Sequence, residues 1–164
     1  MKISFIQTIK KFNKLSIKYY YEKLLNLKST PAEIAFSIAL GIFIGLLFPI
    51  GLQTIIAVPI SIFLGSNVLL TVTATLISNP LTILPIYYAA INIGQFITHI
   101  EISWNSNSEF LKSPSFSGIL NLSQNGLIVL FTGTSILALC CSVIMYFVIY
   151  KLICAHRKKR NLQV

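Results

Sequence analysis

Catalysis needs a nucleophile, a positioned acid or base, or a set of metal ligands at workable spacing. The reactive inventory here is two histidines (His99, His156), four glutamates (Glu22, Glu33, Glu101, Glu109) and three cysteines (Cys140, Cys141, Cys154), with no aspartate. None stands at triad or metal-ligand spacing, and no CxxC or Cys/His cluster is present. His99 and Glu101 alternate at the edge of an apolar block and read as a solvated pair. Cys140 and Cys141 lie inside an apolar run, poorly placed to bridge each other, and read as small apolar side chains. No enzymatic activity, catalytic residue, metal or cofactor is therefore expected. Within the apolar part of the chain the polar groups are neutral, among them Gln53, Asn67, Asn79, Thr82, Tyr87 and Asn92. Their chemistry is hydrogen bonding, and several of them sit beside prolines and glycines.

The block that must position these groups is 34–100, which contains no Asp, Glu, Lys or Arg. A water-soluble domain does not leave so long a run uncharged. The whole chain of 164 residues is 55% hydrophobic and 10% charged, against about 25% charged in ordinary soluble domains. A membrane domain with short polar ends is the expected class. The block is broken by Pro49, Gly51, Pro59, Gly65, Asn79, Pro80 and Pro85. A proline frees backbone carbonyls that hydrocarbon cannot satisfy, so such breaks belong where protein or a water-filled cavity surrounds them. Gln53 and Asn79, one beside each main break, are the side chains expected to complete that hydrogen bonding.

The expected fold is all-α and integral to a membrane. It has about four short transmembrane or re-entrant helical segments, near 31–48, 52–64, 67–98 and 126–150, within a membrane domain of 29–150. Thr30 can cap the first segment, Pro31 suits its first position, and Glu33 completes a capping box. Gly41 and Gly45 lie four apart on one face and invite close approach of another helix. Gly65, Ser66 and Asn67 signal a turn. Two architectures fit: full crossings by 32–48, 50–66 and a kinked 68–98, or a re-entrant hairpin over 35–64 with a second broken element after it. The 25 uncharged residues of 126–150 make about 37 Å of helix, the one unambiguous span.

The ends orient the block. Residues 1–28 place Phe5, Ile9, Phe12, Tyr19, Tyr20 and Leu27 on one helical face, with Lys10, Lys11, Lys14 and Lys18 on the opposite one. That is the pattern of an amphipathic helix lying in the lipid interface. The first 30 residues carry seven lysines, the tail after residue 150 carries five Lys/Arg, and the polar connection 99–125 carries one lysine. Both termini are therefore expected in the cytoplasm and the connection outside. The basic tail 151–164, with Arg157, Lys158, Lys159 and Arg160, reads with the four N-terminal lysines as contacts to anionic headgroups rather than to nucleic acid.

The residues around the two breaks also resemble a known family. Phe48, Pro49, Gly51, Gln53 and Thr54, then Asn67, then Ser78, Asn79, Pro80, Thr82 and Pro85 are similar to the pattern of the bacterial membrane proteins filed as domain of unknown function two-zero-six-two, as are Gly41 and Gly45. The resemblance covers about residues 28–150. It implies a multi-pass module of the bacterial inner (plasma) membrane with no assigned activity, found alone or attached to enzymes such as glycosyl- or methyltransferases.

Two functions follow from different features. The paired breaks suggest a transporter, channel or lipid-translocating protein, whose substrate-binding residues would be Pro49, Gly51, Gln53, Asn67, Asn79, Pro80, Thr82 and Pro85. The absence of charge in 34–100 points that site towards a neutral solute or a lipid headgroup, and so few short elements call for a homo-oligomer. The basic ends and empty reactive inventory suggest instead a non-catalytic anchor or assembly subunit for a separate membrane or cell-envelope enzyme. Orientation is checked by a single cysteine at Asn107 in a cysteine-free background. It should label from the outer face, and labelling from the cytoplasmic face alone reverses the topology.

Overall fold

The computed structural model describes residues 29–79, 81–101 and 124–161. The proposed surface helix of 1–28, most of the 99–125 connection, and Pro80 lie outside the described residues. Among the described residues there are five helices and no strand: α1 Pro31–Leu47, α2 Leu52–Phe63, α3 Val68–Thr75, α4 Ile83–Thr98 and α5 Gln124–Asn161.

Each boundary has a local cause. Thr30 accepts from the Glu33 amide while the Glu33 carboxylate accepts from the Thr30 amide, closing the expected capping box at α1. Pro49 follows the last turn of α1, where the Phe48 amide still donates to the Ile44 carbonyl. Gly51 turns the chain into α2 at φ 98°, and Gly65 turns it out at φ 64°, both in the region that a side chain disfavours. Asn67 caps α3 through the Leu70 amide. The segment expected as one broken helix over 67–98 is two helices separated by residues 76–82. The expected 126–150 span is longer than its apolar stretch, because α5 continues through Lys151 into the basic tail as far as Asn161. Helix formation there needs no apolar side chains, since Lys and Arg are good helix formers.

α5, about 57 Å long, is the axis on which the rest is laid. It is also the one described helix long and apolar enough to cross a membrane. α1 runs antiparallel to its C-terminal part: Ile34 packs with Ile153, and Ile42 and Leu46 pack with Ala138. α4 runs antiparallel to its N-terminal part: Gly94 faces Val129, and Ala90 faces Gly133. α1 and α4, about 26 Å and 24 Å, thus cover successive lengths of one long helix. Between them, α2 and α3 form a hairpin that returns along α1. The Asn67 amide donates to the Ser37 hydroxyl at 2.9 Å, beside the first half of α1. α3 then runs parallel to α1, with Thr71 against Gly41 and Thr75 against Gly45.

These approaches are backbone to backbone. A Cβ on Gly45 would lie 2.7 Å from the Thr75 carbonyl oxygen, and one on Gly41 would overlap the Thr71 carbonyl. The same holds where α4 meets α5: a Cβ on Gly133 would overlap the Ala90 carbonyl. Overpacking of this kind costs about 1–3 kcal/mol. Gly41→Ala and Gly133→Ala should each lower the thermal midpoint of the detergent-solubilised protein. Ile55→Ala, at a position 70% exposed on α2, should leave the midpoint nearly unchanged.

Candidate functional site

The two breaks in the chain meet at one level of the structure. Residues 48–51 follow α1, whose Leu46 packs with Ala138. The second break returns to the same level, because the Ser78 hydroxyl donates to the Gly45 carbonyl at 2.6 Å. A small cavity there is lined by Leu47, Pro49, Tyr87, Leu130, Phe131 and Thr134. It holds little more than one water molecule. On α5 this level spans roughly residues 130–138, close to the middle of the uncharged stretch 126–150.

At the second break the motif side chains are occupied by the backbone. The Asn79 Oδ1 accepts from the Leu81 and Thr82 amides at 2.9 and 3.1 Å. The Thr82 Oγ1 accepts from the Asn79 amide at 3.0 Å and donates to the Ile77 carbonyl at 2.6 Å. This is a reciprocal capping box with Asn and Thr in place of the more usual pair, and it starts the turn leading into α4. Pro85 sits in the first turn of α4, where its missing N–H leaves no intrahelical bond unmade. Asn79 takes up two amides of this break, and Thr82, not Asn79, takes up the Ile77 carbonyl.

The first break is different. Pro49 is buried and its carbonyl accepts from the Gln53 amide at 3.3 Å. Gly51 precedes α2 and supplies no side-chain cap. The Gln53 side chain is 3% exposed, and its Oε1 has no hydrogen-bond partner. The side-chain oxygen of Gln53 thus makes no bond at this break. A buried acceptor left in this state costs about 1–3 kcal/mol.

Asn67 lies about one hairpin length from these residues, beside Ser37, so the structure does not bring it to the level of the breaks. It belongs to a seam of hydroxyls that sequence reasoning missed: Ser37, Ser61, Thr71, Thr75 and Ser78, all buried where α1, α2 and α3 meet. Ser37, Ser61, Thr71 and Thr75 each donate to a carbonyl in their own helix or its cap. Such back-bonding lets a hydroxyl lie in an apolar interface without an outside partner. The four-residue spacing of Ser37, Gly41 and Gly45 was a legible signal for part of it. Gly94 and Gly133 were also missed, their partners being far apart in sequence.

Of the proposed headgroup contacts, Lys10, Lys11, Lys14 and Lys18 fall outside the described residues. Arg157 is turned inward as well as placed at the end of the bundle. Its Nη2 donates to the Ser29 carbonyl at 2.7 Å, tying the last turns of α5 to the start of α1. Lys158 is exposed, and Lys159 and Arg160 lie in the last turns of α5. No group of three or more His, Cys, Asp or Glu gathers as a metal site among the described residues.

The capping box makes a quantitative expectation. Asn79→Ala and Thr82→Val should each destabilise by about 1 kcal/mol, typical of a lost cap. The double variant should cost clearly less than their sum, because both removals break one reciprocal unit. Strict additivity in reversible unfolding would mean that the two side chains act separately.

No curated protein and no solved structure matches the chain significantly. A family model does, across residues 14–161, ending with the last turn of α5. Its span takes in both breaks, the capping box, the glycine contacts and the long helix. The chain accordingly belongs to the bacterial family described as "Uncharacterized protein conserved in bacteria (DUF2062)".

Proposed function

We propose that this protein is a multi-pass protein of the bacterial inner membrane that moves a neutral solute or a lipid headgroup. Its site is the level where the two chain breaks meet. The observation that carries this reading is the convergence of the first break, at Leu47 and Pro49, and the second, at Ser78, beside residues 130–138 of α5. With α5 crossing the bilayer, α1 reaches only its midplane, the α2–α3 hairpin returns towards the cytoplasm and back, and α4 completes the crossing. That path has one net crossing before the 99–125 connection and one after it. Both basic ends then fall on the cytoplasmic side, in keeping with the distribution of Lys and Arg. Discontinuous helices ending at the midplane are the arrangement from which many secondary transporters build their sites. The unpartnered Gln53 Oε1 adds an acceptor at the same break.

A second reading has its own observation. Asn67, Asn79 and Thr82 are all occupied in capping, which suits a tightly packed, non-catalytic anchor for a separate envelope enzyme. Water access separates the two. Single cysteines at Gln53 and at Thr134, with Cys140, Cys141 and Cys154 replaced by serine, are treated with a membrane-impermeant thiol reagent from each side of oriented vesicles. The transport reading expects both to react from at least one side, while a cysteine at the exposed α5 residue Phe147 stays protected by lipid. No reaction at 53 or 134 from either side, in vesicles where a cysteine at Asn107 does label, overturns it in favour of the anchor.

A further inference from the structure

We propose that the outward edge of α4 is a headgroup track, along which a phospholipid of the outer leaflet brings its polar end down to the level of the two breaks. The inference rests on the transport reading and its placement of α5 across the bilayer, and it selects a lipid over a soluble solute. The observation behind it is a stripe of polar side chains. Tyr88, Asn92, Gln95 and His99 follow one another at spacings of three or four residues, which puts them on one face of the helix. Tyr88, Asn92 and His99 are exposed, and Gln95 is half-buried.

The contacts with α5 give the depth of each residue. Gly94 faces Val129 and Ala90 faces Gly133, so a step along α4 is matched by one step along α5 in the opposite sense. His99 is thereby level with the start of α5, just outside the uncharged stretch 126–150. Tyr88 is level with the middle of 130–138, where the breaks meet. The stripe between them covers about 16 Å, close to half the thickness of a hydrocarbon core.

Polar side chains at such depth ordinarily face the interior of a bundle or a water-filled cavity. These face away from the rest of the chain. Among the described residues α4 makes its one extended contact with α5, and its buried face carries Ile83, Tyr87, Ala90, Ile91 and Gly94 instead. The outer face of α2 shows what the exposed surface otherwise looks like, with Ile55, Val58, Ile62 and Phe63. Asn92 is partly provided for, since its Nδ2 donates to the Tyr88 carbonyl at 2.7 Å. Its Oδ1 takes no bond among the described residues.

A track with no opposite wall fits an amphipathic substrate. A soluble solute on this face would be surrounded by hydrocarbon on every other side. A lipid keeps its tails among other tails, while its headgroup exchanges hydrogen bonds to water for bonds to the neutral donors and acceptors of the stripe. No Lys or Arg stands in 34–100 to hold a phosphate in place, so the headgroup can move on.

The full chain is reconstituted in vesicles of phosphatidylethanolamine and phosphatidylglycerol, with a trace of phosphatidylglycerol carrying a nitrobenzoxadiazole dye on one acyl chain. External dithionite bleaches the outer-leaflet dye, and any further loss reports lipid crossing from within. The protein should bring on that further loss. Asn92→Leu combined with Tyr88→Phe should slow it by about tenfold, and Ile55→Ala on α2 should leave it unchanged. Spin labels at Asn92→Cys or at Ile128→Cys, with the three native cysteines replaced by serine, read the track itself. Ile128 is exposed on α5 and lies shallower than Asn92, so in plain hydrocarbon a water-soluble nickel chelate reaches Ile128 more often. The track reverses that order. No lipid crossing, a rate that ignores the double variant, or collisions that simply fall with depth overturns the proposal. So does close spin coupling between Asn92 labels on two copies, which makes the stripe a contact between copies. Should cysteines at 53 and 134 react with the aqueous reagent while lipid does not cross, the track fails and the transport site stands for a soluble solute. Should they not react, the site fails first.

Discussion

In a block as apolar as 34–100, a broken helix is tolerated only where the backbone groups it frees find partners inside the protein. Much of the structure answers that requirement. The Asn79–Thr82 capping box satisfies the turn into α4, Asn67 caps α3, and the Ser78 hydroxyl reaches a carbonyl of α1. Those bonds fix where α3 and α4 begin and hold the connection between them against α1. Gln53 stands apart because its backbone N–H joins this accounting, donating to the Pro49 carbonyl, and its side-chain oxygen does not.

The second dependence is on close approach. α3 has only eight residues, too few to hold a place by apolar burial alone. It lies in register with α1 because Gly41 and Gly45 let the Thr71 and Thr75 backbone touch the α1 backbone. Dispersion and short dipolar contacts then replace the long side chains that would otherwise keep helices 8–10 Å apart. The α4–α5 contact uses the same device at Gly94 and Gly133. α2 has no such glycine seam and buries only Gln53, Ala57 and Ser61.

Together these features divide the motif by role. Asn67, Asn79 and Thr82 build the frame; Gly51 and Gly65 shape the path of α2; Gln53 holds an unmet hydrogen-bonding demand inside the frame. A motif that looked from its residue types like one set of ligands is in space mostly a set of caps and turns. The cavity wall shared by Leu47, Pro49, Tyr87 and Thr134 comes from three separate parts of the chain.

The linear sequence was enough to specify the local events. The capping box at Thr30 and Glu33, the turn at Gly65 to Asn67, the chain breaks and the long apolar stretch of α5 all depend on residues within a few positions of one another. Their propensities and hydrogen bonds are decided locally. The tertiary structure alone decided that α1 and α4 share the length of α5, that α3 runs parallel to α1, and that the two breaks meet beside residues 130–138. Those facts rest on contacts between residues such as Gly133 and Ala90, or Ser78 and Gly45, more than thirty positions apart. No periodicity or local propensity records which glycine will meet which carbonyl. The same reason hid the unpartnered state of Gln53, since whether an amide is satisfied depends on every neighbour that folding brings to it.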